Sequence, residues 1–535
     1  MTDAAPAFLP TTYSAGGLVA SIDHLASSAG AQLLAAGGSA ADAAIAANAV
    51  LAVTAPHMCG MGGDLFALVH HGSGAPEVVD GAGRAGSGAD PERLRRACHT
   101  RMPIRGDVAA SPVPGCVDGW VLLHERHGRL PFGDVLAPAI RLARDGFPVS
   151  PLLAFMLHTL APLQGCDELA VSRPDTGELL VRPDLAATLA ELAEGGRAAF
   201  YEGAFGRALL EVGDGEYEPA DLRQPHAAWV DPLRIRVWDH DVWAPPPTSS
   251  GYLVLAGAWI AERCGLGPGS GVEPEDPAWA HLLAESARLA GFDRPDVLHD
   301  RADGALLLDE AELARRAAMF STGATVGLGA GVRDGDTTYL CAVDADGMGV
   351  SLIQSNAMDF GSHVAVPGTG VLLHNRGLGF SLEPGHPGEY GPGRRPPHTL
   401  SPALVTRPDG SLRAVLGTMG GDSQPQVVLQ MLARLLVAGQ EAGDVIGSPR
   451  FVLAKAQPRS GFDTWADPDD QVVRVETHAP EAWAAGLANS GHVVERAGFD
   501  PADFGHAQLI EVRSDGMRAG SADPRSMVGA AIAAT

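Results

Sequence analysis

The sequence is poor in basic residues, and those that it has form no continuous stripe. Its 535 residues carry 64 acidic and 38 basic side chains, which gives a formal net charge of −26 at pH 7. Such a surface repels phosphate backbones and anionic lipids, so nucleic acids and membrane surfaces are poor partners. Solubility explains the acidic excess better than the recruitment of cationic ligands does.

Cysteine and long apolar runs are also scarce. The six cysteines are widely spaced and form no C-x-x-C pair, which indicates neither a zinc site nor a disulfide scaffold and predicts reduced, buried thiols. The longest mainly apolar stretch, Ala43 to Ala55, is too short to span a bilayer, and the N-terminal residues lack the pattern of a signal peptide. We therefore expect a cytoplasmic protein.

Linkers, low-complexity segments and internal repeats are missing too. Length alone favours roughly three or four domains, but without a linker one composite domain is the better expectation. A phosphate-binding loop is not predicted, because the glycine-rich segment Gly60 to Asp64 precedes a strand and shows neither a G-x-G-x-x-G order nor a Walker lysine. Close backbone packing explains those glycines better.

The most informative pattern that is present is a hairpin. Residues Thr338 to Val343 form an apolar, β-branched strand, and a second strand, Val350 to Ser355, runs back after a turn that ends in Gly347. A type I turn followed by a left-handed glycine makes Asp344 pair with Met348. The turn therefore fixes the register of the two strands.

Counting outward in this register places Thr337 opposite Ser355, with both hydroxyls on one face. A threonine hydroxyl is a weak nucleophile without a base, and the hairpin contains no histidine. Scission between Asp336 and Thr337, at the end of the glycine-rich loop 327–336, supplies a base, because the freed α-amine is partly unprotonated near neutral pH. Taken alone, however, the pair Thr337-Thr338 at a strand start is an ordinary β-forming pair.

A second pattern is a glycine pair between a strand and a helix. Leu412 to Leu416 is predicted to be a strand, Gly420-Gly421 follows, and a helix is predicted from Pro425 to Val437. Backbone N–H groups at such a helix start can stabilise an oxyanion, although glycine pairs also serve packing. The irregular segment 375–402 is too long for an ordinary connection and is typical of loops that cover sites.

Apolar residues at three- and four-residue spacing predict several helices that act as scaffold. Two of them cover residues 135–143 and 185–192. The alanine-rich segment 43–53 has small side chains that suit a helix packed against a sheet, and a further helix is predicted over residues 281–291.

Together these segments resemble, in order and over nearly the whole chain, the γ-glutamyltransferase family of autoprocessing N-terminal-nucleophile enzymes. The resemblance implies an α/β (α+β) fold, a four-layer αββα sandwich, and cleavage into a large subunit, 1–336, and a small subunit, 337–535, within one composite domain. It also implies a role in glutathione metabolism and leaves a higher oligomer open. The matching stretches are Gly37–Ala44, Gly60–Asp64, Val113–Gly115, Pro246–Gly251, Asp336–Thr338, Gly420–Gly421 and Ala522–Arg525.

The resemblance assigns roles to five residues. Thr337 is expected to be the nucleophile, Ser355 its hydrogen-bonded hydroxyl partner, and Thr338 a second nearby hydroxyl residue. Gly420 and Gly421 are expected to donate to the oxyanion. The acyl group of a small-molecule substrate passes to the enzyme and then to water or an amine, and no metal or organic cofactor is implied.

The substrate pocket departs from the family pattern. Where the family has an arginine for the glutamate α-carboxylate this sequence has Ala82, with Arg84 two residues on, and the family's strand asparagine falls at Ala357, beside Asn356. Its glutamine and aspartate for the α-amino group fall at Arg376 and Gly379, and its paired serines at His398 and Thr399. The candidate substrate-binding residues are therefore Arg84, Asn356, Arg376, His398 and Thr399.

Compared with the family pattern, the pocket loses the aspartate that binds the α-ammonium group and gains Arg376. This change predicts a substrate that has a carboxylate and no adjacent positive charge. The same family includes oxamate amidohydrolases and glutaryl-cephalosporin acylases, whose acyl groups have this character. The main expectation is an amidohydrolase or acyltransferase acting on a γ-glutamyl compound or a related small acidic amide. The alternative is a hydrolase that resembles the oxamate amidohydrolases or the glutaryl-cephalosporin acylases and has no γ-glutamyl activity. A separate alternative for Arg84, Arg376 and His398 is a structural role.

Two hypotheses from other classes remain open. An uncleaved binding or scaffold relative would keep the fold without the chemistry, although the intact Asp336-Thr337-Thr338 argues against it. A metal-dependent hydrolase using His57, His70 and His71 is weaker, because no carboxylate stands at ligand spacing. Neighbouring His70 and His71 on a strand also face opposite sides.

Overall fold

The computed structural model describes residues 9–159, 163, 165–171, 173–326, 336–455, 471–498 and 504–535. The predicted loop 327–336 therefore lies, apart from Asp336, outside the described residues. The strands are β1 (Thr12–Ser14), β2 (Leu18–Ser21), β3 (Asp64–His70), β4 (Glu77–Gly81), β5 (Phe147–Pro148), β6 (Leu179–Leu180), β7 (Ala228–Val230), β8 (Leu233–Val237), β9 (His240–Ala244), β10 (Asp336–Val343), β11 (Gly349–Ala357), β12 (Ala365–Val366), β13 (Val371–Leu372), β14 (Ala403–Thr406), β15 (Leu412–Thr418), β16 (Phe451–Lys455), β17 (Gln471–Glu476), β18 (Val493–Ala497), β19 (Ala507–Val512), β20 (Arg518–Ala522) and β21 (Ala530–Ala533).

The helices of the described residues surround these strands. They are α1 (His24–Ala35), α2 (Ala40–Thr54), α3 (Pro91–Arg96), α4 (Cys116–His127), α5 (Phe132–Asp145), α6 (Pro151–Thr159), α7 (Asp167–Ala170), α8 (Pro183–Tyr201), α9 (Ala204–Gly213), α10 (Pro219–Arg223), α11 (Gly251–Arg263), α12 (Pro277–Gly291), α13 (Arg294–Val297), α14 (Gly304–Leu307), α15 (Glu310–Ala317), α16 (Gln424–Leu436), α17 (Ala442–Gly447) and α18 (Glu481–Asn489).

The helices predicted over these four segments are confirmed as α2, α5, α8 and α12. Each is longer than its predicted segment, and in α2, α8 and α12 a signal in the sequence marks the earlier start. Pro183 and Pro277 stand in the first turn of α8 and α12, where a missing N–H costs nothing. Ser39 and Asp42 form a capping box at the start of α2.

Within the described residues, two seven-stranded sheets form the centre of the molecule. The first sheet has the strand order β21-β2-β10-β11-β3-β4-β7, and the second has the order β1-β20-β19-β15-β14-β9-β8. Neighbouring strands in both run antiparallel. Apolar side chains such as Phe66 and Tyr339 from the first sheet and Leu404 and Ile510 from the second fill the space between them.

Helices cover the outer face of each sheet. The first sheet shares one apolar core with α2, α5 and α8, and the second shares another with α11, α12 and α16. The alanine-rich α2 is buried along its whole length, since small side chains let it lie close to its neighbours. The αββα sandwich implied by the resemblance is confirmed. No helix in the described ranges is long and apolar enough to cross a membrane.

All six cysteines are free thiols. Burial is confirmed for four of them, whereas Cys264 is half-buried and Cys98 is exposed. The expectation of a buried thiol is wrong for Cys98, because this residue follows the short surface helix α3, in which only Leu94 is buried.

Candidate active site

The hairpin of β10 and β11 has the register that its turn predicts. The backbone N–H of Asp344 donates to the carbonyl of Met348 over 3.0 Å, and Gly347 has a φ of +88°. Further along, Thr338 pairs with Gln354. Both pairs belong to the predicted register, which is confirmed from Val343 to Thr338. The register shifts between Thr338 and Asp336, because Asp336 pairs with Ala357.

The predicted meeting of two hydroxyls at the strand end is also present. The Oγ1 of Thr337 donates to the Oγ of Ser355 over 3.1 Å, and both residues are buried. The Ser355 oxygen also accepts the backbone N–H of Ala357 over 2.8 Å. The hydroxyl of Thr337 is thus held in one orientation at the centre of the first sheet.

A third side chain, Gln424, contacts Thr337 from the second sheet's helix layer. It is the first residue of α16, and its Nε2 donates to the Oγ1 of Thr337 over 3.3 Å. Its Oε1 accepts the N–H of Ser401 over 3.1 Å, which fixes the amide orientation. Sequence reasoning missed Gln424, although its position just after the glycine pair at a helix start was a usable signal.

The glycine pair lies between β15 and α16, as predicted. Gly420 has a φ of +125° and Gly421 a φ of +58°, values that favour glycine. A Cβ added at Gly420 would lie 2.4 Å from the Oγ of Ser423, which donates to the Gly420 carbonyl over 2.6 Å. The pair lies within one turn of Gln424, the residue that contacts Thr337.

Arg376 reaches the same hydroxyl group from the irregular segment 375–402. Its Nη2 donates to the Oγ of Ser355 over 3.3 Å, and its Nη1 donates to the Oγ1 of Thr399 over 3.4 Å. Burial lowers the pKa of Arg376 to about 10, so the guanidinium keeps its charge near neutral pH. The structure therefore brings together Thr337, Ser355, Arg376 and Thr399.

Asp64 and two histidines complete the buried site. Asp64 begins β3 and pairs in register with Ser355. Its Oδ2 lies 3.1 Å from the Nδ1 of His374 and 3.2 Å from the Nε2 of His398, and its Oδ1 accepts the N–H of Gly83 over 3.0 Å. His398 was predicted as a pocket residue, whereas Asp64 and His374 were missed.

The charges in this group depend on one another. Burial raises the pKa of the Asp64 carboxyl, but the charge and hydrogen bonding of His374 and then of His398 outweigh it and hold that pKa well below its ordinary value. Burial lowers the pKa of His398 to about 4. Near neutral pH the site therefore contains a carboxylate, a guanidinium and an uncharged His398.

Three other predicted residues lie apart from the threonine hydroxyl. Thr338 donates to the carbonyl of Gln354 over 3.1 Å, and Asn356 donates to the carbonyl of Pro56 over 3.3 Å. Since neighbouring residues of a strand face opposite sides, both project away from the face of Thr337 and Ser355. Arg84, the third, is half-buried and donates to the carbonyl of Gly393 over 3.3 Å.

Two of the matching glycine and proline motifs position the site without entering it. A Cβ added at Gly63 would lie 2.2 Å from the carbonyl oxygen of Ser355, so close backbone packing explains this glycine, as predicted. Ser249 and Ser250 donate to the carbonyls of Leu400 and His398, each over 2.6 Å. They fasten the backbone that carries His398 and Thr399.

The histidines of the metal hypothesis do not assemble into a site. His70 is buried and its Nε2 lies 3.0 Å from the carbonyl oxygen of Gly410, whereas His71 is exposed. Across the described ranges, no three histidine, cysteine, aspartate or glutamate side chains form a group that could hold a metal ion.

Comparison with known proteins identifies the family of the chain. The family model described as gamma-glutamyltranspeptidase matches residues 26–533. The chain is 35% identical to the glutathione hydrolase-like YwrD proenzyme of Bacillus subtilis, over 95% of this chain and 97% of the relative. It is 34% identical to the oxamate amidohydrolase proenzyme of Klebsiella pneumoniae, over 96% and 98%.

A solved structure shows the same architecture. The cephalosporin acylase from Bacillus halodurans superimposes with a TM-score of 0.88 and is 30% identical, covering 100% of this chain and 99% of its own.

Proposed function

The chain belongs to the gamma-glutamyltranspeptidase family, and we propose that Thr337 carries out its amide chemistry as an N-terminal nucleophile. The protein is an enzyme that hydrolyses or transfers acyl groups, and its relatives are named as proenzymes. In the proposal the precursor is cut between Asp336 and Thr337 into a large subunit, 1–336, and a small subunit, 337–535.

Apart from water, the proposed cut uses only the side chains around Thr337. The hydroxyl of Thr337 attacks the carbonyl carbon of Asp336, its proton passes to the Thr337 nitrogen, and the C–N bond breaks to leave an ester. The α-amine of Thr337 is free from that step on. Water then hydrolyses the ester, which restores the Thr337 hydroxyl and leaves Asp336 with a C-terminal carboxylate. The contacts of Thr337 with Ser355 and Gln424 support this step, because they hold the hydroxyl in one position.

Amide turnover follows in two steps. The α-amine of Thr337 takes the hydroxyl proton as the oxygen attacks the substrate carbonyl, and the N–H groups of Gly420 and Gly421 stabilise the oxyanion. The leaving amine takes the proton as its C–N bond breaks. Water then attacks the acyl-enzyme, and the acid leaves as the Thr337 hydroxyl is restored.

The observation that carries the choice of acyl group is the short path from Thr337 to Arg376. The Oγ of Ser355 lies 3.1 Å from Thr337 Oγ1 and 3.3 Å from Arg376 Nη2, so the outer two atoms are at most about 6.4 Å apart. A carboxylate about 2.8 Å from the guanidinium then lies close to the acyl carbon.

Such a spacing suits a short acyl group. A carboxylate joined directly to the acyl carbon, as in oxamate, fits between the two groups. The three methylenes of a glutaryl or γ-glutamyl group, at about 1.5 Å per bond, place the carboxylate of an extended chain at the outer limit of this spacing rather than between the two groups. We therefore rank an oxamate-type amide first, in agreement with the name of one relative.

A γ-glutamyl compound is the second candidate. The observation that favours it is the presence of two buried carboxylates near the site, Asp64 and Asp422, either of which can attract an α-ammonium group. Asp422 lies beside the glycine pair, with its Oδ1 3.5 Å from the Nη1 of Arg294. The glutathione hydrolase-like relative agrees with this alternative, which also covers the expected role in glutathione metabolism.

Two experiments test the cut before Thr337 and the choice of acyl group. The first compares intact-mass spectra of wild type and Thr337→Ala, and two fragments are expected from wild type alone. Ammonia release is then measured from oxamate, malonamate, succinamate, glutaramate and glutamine, with wild type, Arg376→Gln and the exposed control Arg144→Gln. We expect oxamate to be fastest and its kcat/KM to fall at least 100-fold in Arg376→Gln but not in the control. If glutaramate or glutamine is turned over fastest, the preference for a short acyl group is wrong. If the wild-type chain stays uncut, the role of Thr337 as an N-terminal nucleophile is wrong.

A further inference from the structure

Arg294 carries a buried guanidinium that the proposed reaction does not use. It is the first residue of the short helix α13 and is 5% exposed. Its Nε donates to the Oγ of Ser250 over 2.9 Å, and its Nη2 lies 3.5 Å from the carbonyl oxygen of His398. Ser250 donates to that same carbonyl. Arg294 and Ser250 therefore hold the backbone just before Thr399.

The same guanidinium also reaches the residue that follows the glycine pair. Its Nη1 lies 3.5 Å from the Oδ1 of Asp422, which comes directly after Gly421 and is 2% exposed. A buried carboxylate is stable only with an opposite charge or hydrogen-bond donors nearby, and Arg294 supplies such a charge. The ion pair therefore ties Asp422 to α13.

The backbone around Asp422 leaves the glycine pair little freedom to adjust. The N–H of Ser423 donates to the carbonyl of Gly420 over 3.0 Å, and the carbonyl of Asp422 accepts from the Nε2 of Gln426 over 3.0 Å. Because peptide units are planar and rigid, a displacement of Asp422 also moves the N–H groups of Gly420 and Gly421.

The ion pair lies close enough to Arg376 for its charges to act there. Burial is the main cause that lowers the pKa of Arg376, and Asp64 raises it. Arg294 lowers that pKa further, whereas Asp422 raises it. Because the two charges act in opposite directions, the pair borders the site without giving it a net charge.

We propose that Arg294 is a positioning residue that holds the N–H groups of Gly420 and Gly421 in place through Asp422. In the proposed cut enzyme Arg294 belongs to the large subunit, whereas Asp422 and His398 belong to the small one. The large subunit thus sets the geometry of an oxyanion site whose donors lie in the small subunit. This inference rests on the proposed function, which assigns the oxyanion to the glycine pair. It also commits the carboxylate of Asp422 to Arg294, which makes it a poor partner for the α-ammonium group of a γ-glutamyl substrate.

Replacement of Asp422 tests the positioning role through the split between kcat and KM. Asp422→Asn removes the charge at nearly constant size, so kcat is expected to fall about tenfold while KM stays within about threefold. The factor should be the same for every amide that wild type hydrolyses, because all of them use one oxyanion site. An unchanged kcat would overturn the proposal. A loss for glutamine that is absent for glutaramate would also overturn it, because it would show that Asp422 binds the α-ammonium group.

Removal of Arg294 and a double variant supply a rescue test. Arg294→Gln takes the guanidinium away from the buried carboxylate of Asp422, so kcat is expected to fall at least about 30-fold. Adding Asp422→Asn removes that carboxylate, and kcat is expected to recover at least about threefold. Equal kcat values in Arg294→Gln and the double variant would overturn the proposal. Arg413→Gln is the matched control, because it unpairs Glu511 at the far end of β15 and should lower Tm without lowering kcat.

The milder variant also decides the question if Arg294→Gln does not fold. Asp422→Asn keeps the guanidinium together with its contacts to Ser250 and His398, so the fold loses less than in Arg294→Gln. The same assays separate the two proposals. Wild type that hydrolyses no amide contradicts the proposed function, whereas an active wild type with an equally active Asp422→Asn contradicts the role of Arg294 alone.

Discussion

The side-chain amide of Gln424 donates to the hydroxyl of Thr337 over 3.3 Å, although 87 residues separate the two in sequence. The contact joins α16 of the second layer to the first residues of β10 in the first sheet. Because Gln424 also accepts from the backbone of Ser401, it links the proposed nucleophile to the segment that carries Thr399. The Thr337 hydroxyl is therefore contacted from both halves of the sandwich, by Ser355 of the first sheet and by Gln424 of α16.

Replacement of Gln424 by alanine removes that link. A neutral hydrogen bond is worth about 1 kcal/mol, so we expect Gln424→Ala to lower kcat about fivefold to tenfold. Self-cleavage, followed by intact mass over time, should slow by a similar factor. The exposed Gln224→Ala serves as the control and should match wild type. Unchanged rates in Gln424→Ala would show that the contact has no role in either reaction.

Ser355→Ala should be more damaging, because Ser355 contacts both Thr337 and Arg376. The loss of one hydrogen bond to each, one of them to a charged group, predicts a fall in kcat/KM of about 100-fold. Ser351→Ala is the matched control, since Ser351 lies on the same strand and its hydroxyl meets that of Tyr339 instead. Steady-state rates for the two variants check the prediction, and similar losses in both would refute it.

Gly420→Ala tests the oxyanion assignment. Its φ of +125° lies outside the regions that alanine adopts readily, and the new Cβ would meet the Oγ of Ser423 at 2.4 Å. The loop must shift and carry its N–H groups away, so kcat is expected to fall about 100-fold. Gly439→Ala, also at positive φ but in open space, controls for backbone strain. A rate in Gly420→Ala that equals the control would contradict the role.

How far the sequence predicts this site depends on how local each contact is. The turn at Asp344 fixes the register of the hairpin within a few residues, so the meeting of Thr337 with Ser355 follows from short-range chemistry. The same alternation places Asn356 on the far face. Asp64 could not be placed, because its position beside Ser355 depends on the strand order β11-β3 rather than on its neighbours in sequence.

The residues brought by irregular segments show the same limit. Arg376 and His398 stood out as departures from a family pattern, not as members of any periodic element. His374 carried no such signal, since its partner Asp64 is more than 300 residues away and belongs to another strand. The helices and the hairpin were predictable because their sequence patterns are local, and the αββα sandwich followed from the family resemblance. The contacts of Asp64 with His374 and His398 depend on tertiary packing instead.

Acid should destabilise the protein through histidines that are buried uncharged. Burial is the main cause that lowers the pKa of His57 to about 3 and those of His226, His398 and His492 to about 4. The unfolded chain titrates near 6.5, so it takes up protons first as the pH falls. The stability that these four histidines contribute is therefore fully present above pH 6.5 and is lost progressively down to about pH 4.

The size of this effect can be measured by thermal unfolding between pH 7.5 and 5. At pH 5.5 each such histidine costs about 1.4 kcal/mol, so Tm should fall steadily over the range. The slope of the unfolding free energy against pH reports the number of protons taken up on unfolding. In His57→Asn this number should decrease by about one, whatever the absolute stability of the variant. The exposed His71→Asn should keep the wild-type slope, and an equal slope in all three proteins would refute the prediction.

The strand order of the first sheet, in which β10 and β11 lie between β2 and β3, has a consequence for the life of the enzyme. In the proposed mature enzyme, which is cut before Thr337, strands of both pieces alternate across the first sheet. The two pieces are therefore expected to stay together without a covalent link. Refolding then requires two chains to find each other, and recovery from denaturation becomes dependent on concentration. Maturation thus turns a molecule that can refold alone into one whose persistence is set by how slowly it comes apart.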